Sequence, residues 1–187
     1  MTNGDSDIKI FTPQKASGDE DLRFIEEMNH QRANGNTALA KKLGKQLADF
    51  LVLKTGESEE SFFTDYPYKP KGDILYRVME LAVFSAEHRL EALLGNQLLC
   101  ATAVNSFYDS LIKLAPEFYE KVSSGTAFTF YCLDVRESTS VPERIGQSFA
   151  MLCGDEKNPD YFDLGVETFN TATYETGKIF RSYAFAE

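Results

Sequence analysis

The stretch DILYRVMELAVFSAEHRLEALL, Asp73 to Leu94, decides the fold class. In its first half, Ile74 to Ala86, apolar residues fall on nearly every side of a helical wheel, with Arg77 and Glu80 as the exceptions. A helix apolar all round has no face to give to water, so it belongs at the centre of a helical protein. Gly95 and Asn96 break the pattern. A fourth helix follows to about Val122, with Cys100, Ala103, Val104, Phe107, Leu111, Leu114, Ala115 and Phe118 forming its stripe; Pro116 either kinks it or splits off its last turn.

Upstream, a first helix begins at Asp19, with Asp19, Glu20 and Asp21 favouring the dipole and Leu22, Ile25 and Met28 at helical spacing. Asn34 and Gly35 stop it, and Asn36 caps a second helix. There Leu39, Leu43, Leu47, Phe50 and Leu51 form the apolar stripe while Lys41, Lys42, Lys45 and Asp49 face water. Residues 1–18 hold little apolar material beyond Ile8, Ile10 and Phe11, and read as a flexible arm ahead of a single helical domain, 19–187. Thr55 to Gly72 is a connector whose Phe62, Phe63, Tyr66 and Tyr68 pin it to the domain or form an exposed docking patch.

Downstream, Thr126 to Val135 is aromatic enough for a strand, but no partner strand is in view, so a helix placing Phe128, Tyr131, Cys132 and Val135 together is the better reading. Pro142 suits the first turn of a sixth helix ending near Cys153. A last helix runs from about Asp160 towards Ala184, with Phe162, Val166, Phe169, Thr173, Phe180 and Tyr183 as its stripe; Gly165 and Gly177 let a neighbour approach or merely weaken it. The expectation is therefore an all-α fold of about seven helices, arranged as an αα-hairpin array or a compact helical bundle.

The segment Asn34-Gly35-Asn36-Thr37-Ala38-Leu39-Ala40-Lys41-Lys42-Leu43 resembles the turn and second helix of a tetratricopeptide repeat, with Ala40, Leu43 and Leu47 at the small and large sites. A similar register recurs from Gly95 through Cys100, Ala103 and Phe107, and the Phe149 to Gly154 and Tyr161 to Gly165 segments loosely resemble a repeat's first helix. The spacing between these units departs from the family's regular period. The resemblance implies a scaffold that binds a protein or peptide.

Composition narrows the function classes. With 187 residues and 43% hydrophobic content, the chain can bury one substantial core. A net charge of −10 disfavours nucleic acid and anionic membrane as partners. No apolar run is long enough to span a bilayer, and Met1 to Gly18 has neither part of a secretory leader, so a cytoplasmic location is expected. Cys100, Cys132 and Cys153 sit in apolar runs and read as small core residues without disulfide or metal spacing.

No phosphate loop or nucleophile turn occurs, and no cofactor is implied. Glu27 and His30 share a helical face at the spacing of di-iron bundles, but the second copy such a centre needs is missing, so a surface role is expected. Arg77 and Glu80, three apart in the apolar third helix, must satisfy each other or line a groove. With His88 they are candidate binding residues around a polar pocket between the third and fourth helices, joined by Asn105 and Tyr108. The leading expectation is a non-catalytic scaffold for a protein or peptide; the alternatives are a helical-bundle enzyme or small-ligand binder using that pocket, and a homodimer whose function is assembly.

Overall fold

A computed structural model describes residues 18–55, 72–137 and 139–186; the arm at 1–17 and most of the aromatic connector lie outside the described residues. Among the described residues eight helices follow in order: α1 (Gly18–Ala33), α2 (Asn36–Thr55), α3 (Gly72–Leu93), α4 (Gln97–Leu114), α5 (Pro116–Ser124), α6 (Ala127–Glu137), α7 (Val141–Leu152) and α8 (Pro159–Phe180). No strand occurs among the described residues, so the fold is all-α.

The eighth helix arises because Pro116 splits the expected fourth one. Ala115 leaves helical geometry at φ −144°, and Pro116 opens α5 at a first-turn position where its missing N–H costs nothing. Helix ends elsewhere follow local chemistry. Gly35 takes φ +81° in the turn between α1 and α2, a conformation glycine adopts without strain. Asn96 caps α4 by accepting from Leu99 N at 3.1 Å, and Asn158 caps α8 by accepting from Asp160 N at 3.0 Å. The aromatic segment is helical as α6, with Ala127 and Tyr131 one turn apart and both buried.

The tightest packing joins α2 to α4. On α2, Ala40, Leu43, Leu47, Ala48 and Leu51 are buried at helical spacing, and on α4 Leu99, Ala103, Phe107 and Leu111 meet them. Gly44 lies at the crossing. A Cβ there would run into the Ala103 carbonyl and lie 2.8 Å from Phe107 N, so the two backbones touch where no side chain fits. A second close crossing joins α7 to α8. A Cβ on Gly165 would lie 2.7 Å from Phe149 Cβ and 3.0 Å from Gly146 Cα.

Two apolar clusters result. One gathers α2, α4, α5 and the Ala82, Val83, Ala86 and Leu90 side of α3. The other gathers Val78, Leu81 and Phe84 of α3 with Tyr131 of α6, Ile145 and Phe149 of α7, and Leu164 and Phe169 of α8. α3 serves both, as its all-round apolar pattern requires. Because α8 returns to pack along α3, the helices close as a bundle rather than stacking hairpin on hairpin.

Several expected faces are corrected. The α8 stripe is rotated: Leu164, Thr168, Phe169, Ala172 and Thr176 are buried, while Phe162, Val166, Thr173, Phe180 and Tyr183 are only half-buried, because α3 and α7 cover the helix from two sides. Cys132 is exposed rather than core, on the outer side of α6, and Leu114 is exposed beside the Pro116 break. On α1, Leu22 and Ile25 face water. Asn36, expected as a plain cap, instead holds the C-terminal tail: its side chain exchanges two 2.8 Å hydrogen bonds with the backbone of Ala186. Tyr183 strengthens the dock by donating to Gln46 at 2.6 Å.

A methyl group at the first crossing has nowhere to go. Gly44→Ala is expected to destabilise the fold by about 3 kcal/mol in urea unfolding. Gly95→Ala, at a site where a Cβ meets nothing within 4 Å, should stay within about 0.5 kcal/mol of the parent. Equal effects at the two positions would contradict the close crossing.

Candidate binding surfaces

Arg77 and Glu80 lie one turn apart on α3, so their side chains meet. Arg77 Nη1 donates to Glu80 Oε2 at 2.7 Å, with Arg77 about a third exposed and Glu80 only 1% exposed. The guanidinium thus reaches water at the edge while the carboxylate is sunk beneath it. Burial pushes the Glu80 carboxyl above its ordinary value, and the hydrogen bond and charge of Arg77 oppose that shift. The second oxygen, Glu80 Oε1, is buried and has no hydrogen-bond partner among the described residues.

A cleft of about 410 Å³ opens over this pair, walled by α3, by Lys121 of α5, by the Gly125–Thr126 turn and by Leu152 at the end of α7. An adjoining depression of about 380 Å³ shares Tyr76, Arg77, Lys121 and Leu152 and extends to Asp73 and Cys153. Tyr76 organises the mouth. Its ring packs edge-on to Phe118 at 5.5 Å, and both the Arg77 guanidinium and the Lys121 ammonium lie 5.6 Å from its centroid. Behind the cleft Tyr131 is fully buried; its hydroxyl has no hydrogen-bond partner among the described residues, and burial, with Glu80 adding to it, pushes its pKa well up. Burial also pushes the Cys153 thiol up to about 12, so it stays protonated at neutral pH and is no ready nucleophile.

The other three expected residues lie elsewhere. His88 sits about 16 Å farther along α3, stacked on Phe84 at 6.0 Å and near Phe169 at 6.5 Å. Tyr108 donates to Glu87 at 2.5 Å, and burial, followed by the charge of Glu87, pushes its hydroxyl pKa well above the usual range. Asn105 is exposed on α4, where it lines a depression of about 520 Å³ between the end of α3 and α4, with Glu91, Leu94 and Cys100, and another of about 300 Å³ with Lys41 and Asp109. The polar pocket therefore forms around Arg77 and Glu80 alone of the five, and its opposite wall comes from α5, the Pro116-severed end of the expected fourth helix. Lys121, Gly125 and Tyr131, which sequence reasoning missed, come from elements whose approach to α3 no local pattern announces.

A second surface lies on α1. Its base is anchored: Glu27 Oε1 accepts from Gln31 at 2.8 Å and from Asn96 at 2.7 Å, and these bonds hold the Glu27 carboxyl below its ordinary value. Gln31 in turn accepts from Asn36 at 2.6 Å. Glu27 thus belongs to a hydrogen-bond network that ties α1 to the start of α4. Among the described residues, no three His, Cys, Asp or Glu side chains converge as a metal site. Beyond that anchor, residues 21–26 are exposed throughout, with Leu22, Phe24 and Ile25 showing 59%, 56% and 49% of their surface.

No helix among the described residues is long and apolar enough to cross a membrane. No family model matches the chain, and neither a curated protein nor a solved structure matches it.

Two stability measurements test this geometry. Tyr131→Phe removes a buried hydroxyl without a partner and should stabilise the protein by about 1 kcal/mol; destabilisation instead would mean that the hydroxyl is bonded. His88 has its pKa lowered by burial first, with Arg89 assisting and Glu91 opposing. A folded value below the unfolded one means stability present above the unfolded pKa and lost as pH falls through the folded value. Between about pH 7.5 and about pH 5 the parent should therefore lose more stability than His88→Gln. Parallel curves would show His88 to be solvated.

Proposed function

We propose that this chain is a non-catalytic helical scaffold that binds another protein, and that the projecting half of α1 is what it presents. The observation that carries this reading is the exposure of Leu22, Phe24 and Ile25 on a helix whose opposite end is locked to the body. Leu22 and Ile25, three apart, share one face of the helix, and Phe24 adds a third large apolar side chain in water on another side. A projecting helix end that carries such residues suits insertion into an apolar groove, where a few anchors supply most of the binding energy.

The partner's chemistry follows from charge. Asp21 and Glu26 outnumber Arg23 among the exposed residues 21–26, and the chain carries −10 overall, so the fitting groove is apolar with a mainly basic rim.

The triple variant Leu22→Ser, Phe24→Ser, Ile25→Ser tests the reading. It should keep the helical circular dichroism and a melting midpoint within about 3 °C of the parent. Recovery of the partner from the native host should fall at least about tenfold, because hot-spot anchors are lost. A variant that retains the same partner at equal yield would exclude α1 as the docking element. Light scattering separates the competing occupant: a parent dimer that the variant dissolves would assign this face to a second copy of the chain.

A further inference from the structure

Beyond α8 the chain turns back to the start of α2 as an extended tail. Tyr183 and Phe185 are half-buried while Ala184 and Ala186 are exposed, the alternation of an extended segment lying on a surface. Phe185 stacks on Phe180 at 5.8 Å and lies 6.5 Å from the Tyr183 ring, whose hydroxyl donates to Gln46. Ala186 shows its methyl to water, so its backbone is what is held: its C=O accepts from Asn36 Nδ2 and its N–H donates to Asn36 Oδ1.

That pair of bonds fixes which way the Asn36 carboxamide faces. Its remaining N–H falls on Gln31 Oε1 at 2.6 Å, Gln31 Nε2 donates to Glu27 Oε1, and Asn96 reaches the same oxygen from the start of α4. Asn36 is 1% exposed and Gln31 7%, so water does not readily replace a lost partner in this relay. Without the tail, two of the three bonds of the Asn36 side chain go, and a reversed carboxamide would set oxygen against oxygen at Gln31. Little else holds α1. Among the described residues no α1 side chain belongs to either apolar cluster, and Gln31 alone of them is buried.

We infer that the C-terminal tail is a latch for α1. Seated on Asn36, it keeps the relay through Gln31 to Glu27 aligned and α1 in place; released, it frees the base of α1 while α2 and α4 stay packed. The coupling does not require α1 to dock a partner, and only its use as a control on partner binding rests on the function proposed for α1.

Hydrogen exchange and ring spectra of the full chain by NMR test the latch. Ala186→Pro deletes the N–H that Asn36 accepts, at a residue whose side chain faces water, and Ala186→Gly keeps that N–H as the control. Ala186→Pro should release the tail, seen as collapse of the Tyr183 and Phe185 ring shifts to unstructured values. It should speed exchange of the amides of residues 28–33 at least about tenfold and leave those of Phe107 to Leu111 within about twofold. Ala186→Gly should keep residues 28–33 within about threefold of the parent. Coupling runs both ways, so Gln31→Met, at a residue with no described hydrogen bond to the tail, should speed exchange at the Ala186 amide at least about threefold. A tail that stays seated in Ala186→Pro would overturn the latch, as would a released tail with residues 28–33 unchanged, or equal acceleration at Phe107 to Leu111. These rates are read without a partner, so the latch and the docking role of α1, which the triple serine variant tests, fail separately.

Discussion

The contact on which the rest of the structure depends is the backbone crossing of α2 and α4 at Gly44. With no Cβ in the way, the Ala103 carbonyl and the Phe107 amide come into contact with α2 itself, and Leu43, Leu47 and Leu51 interlock with Leu99, Phe107 and Leu111 on either side. Such proximity gives many dispersion contacts per residue and admits little sliding. It also places the turn before α4, where Asn96 caps α4 and reaches back to Glu27. The second crossing, Gly146 against Gly165, repeats the arrangement for α7 and α8. α3 runs between the two pairs and contributes side chains to both clusters.

The electrostatics of the cleft follow from that central position of α3. A carboxylate on so enclosed a helix is costly unless a cation accompanies it, and Arg77 is placed one turn away to do so from the water's edge. Full burial of both would leave no opening, and full exposure of both would leave an ordinary surface pair. The intermediate arrangement leaves Glu80 Oε1 beneath a cleft edged by Arg77 and Lys121.

Much of this was legible in the sequence, for reasons that particular residues show. The α3 segment is apolar on all sides, and a polar pair three apart within it announces itself without knowledge of any partner. The α2 stripe was read through its leucines, yet Gly44 escaped notice, because a lone glycine in a helix looks like lost propensity until Ala103 is placed opposite. Pro116 was visible as an interruption, but whether the helix kinks or breaks depends on the surrounding packing. The α8 stripe was misread because a wheel drawn for one buried face cannot describe a helix covered from two sides. Leu22 and Ile25 have the spacing of core residues and lie in water, since periodicity reports an apolar face and not what covers it. Asn36 carries the same limitation: its neighbours suggest a cap, and its actual partner, Ala186, lies at the other end of the chain.

α2 and α4 form the centre of a rigid body from which the first half of α1 projects. Native-state hydrogen exchange read amide by amide tests that division most directly. Amides of Leu43 to Leu47 and of Phe107 to Leu111 should exchange only through global unfolding, at the free energy given by denaturant titration, while those of residues 21–26 exchange orders of magnitude faster. If the α2 and α4 amides open at a lower free energy than the whole protein, or α1 is protected as well as they are, the account is wrong.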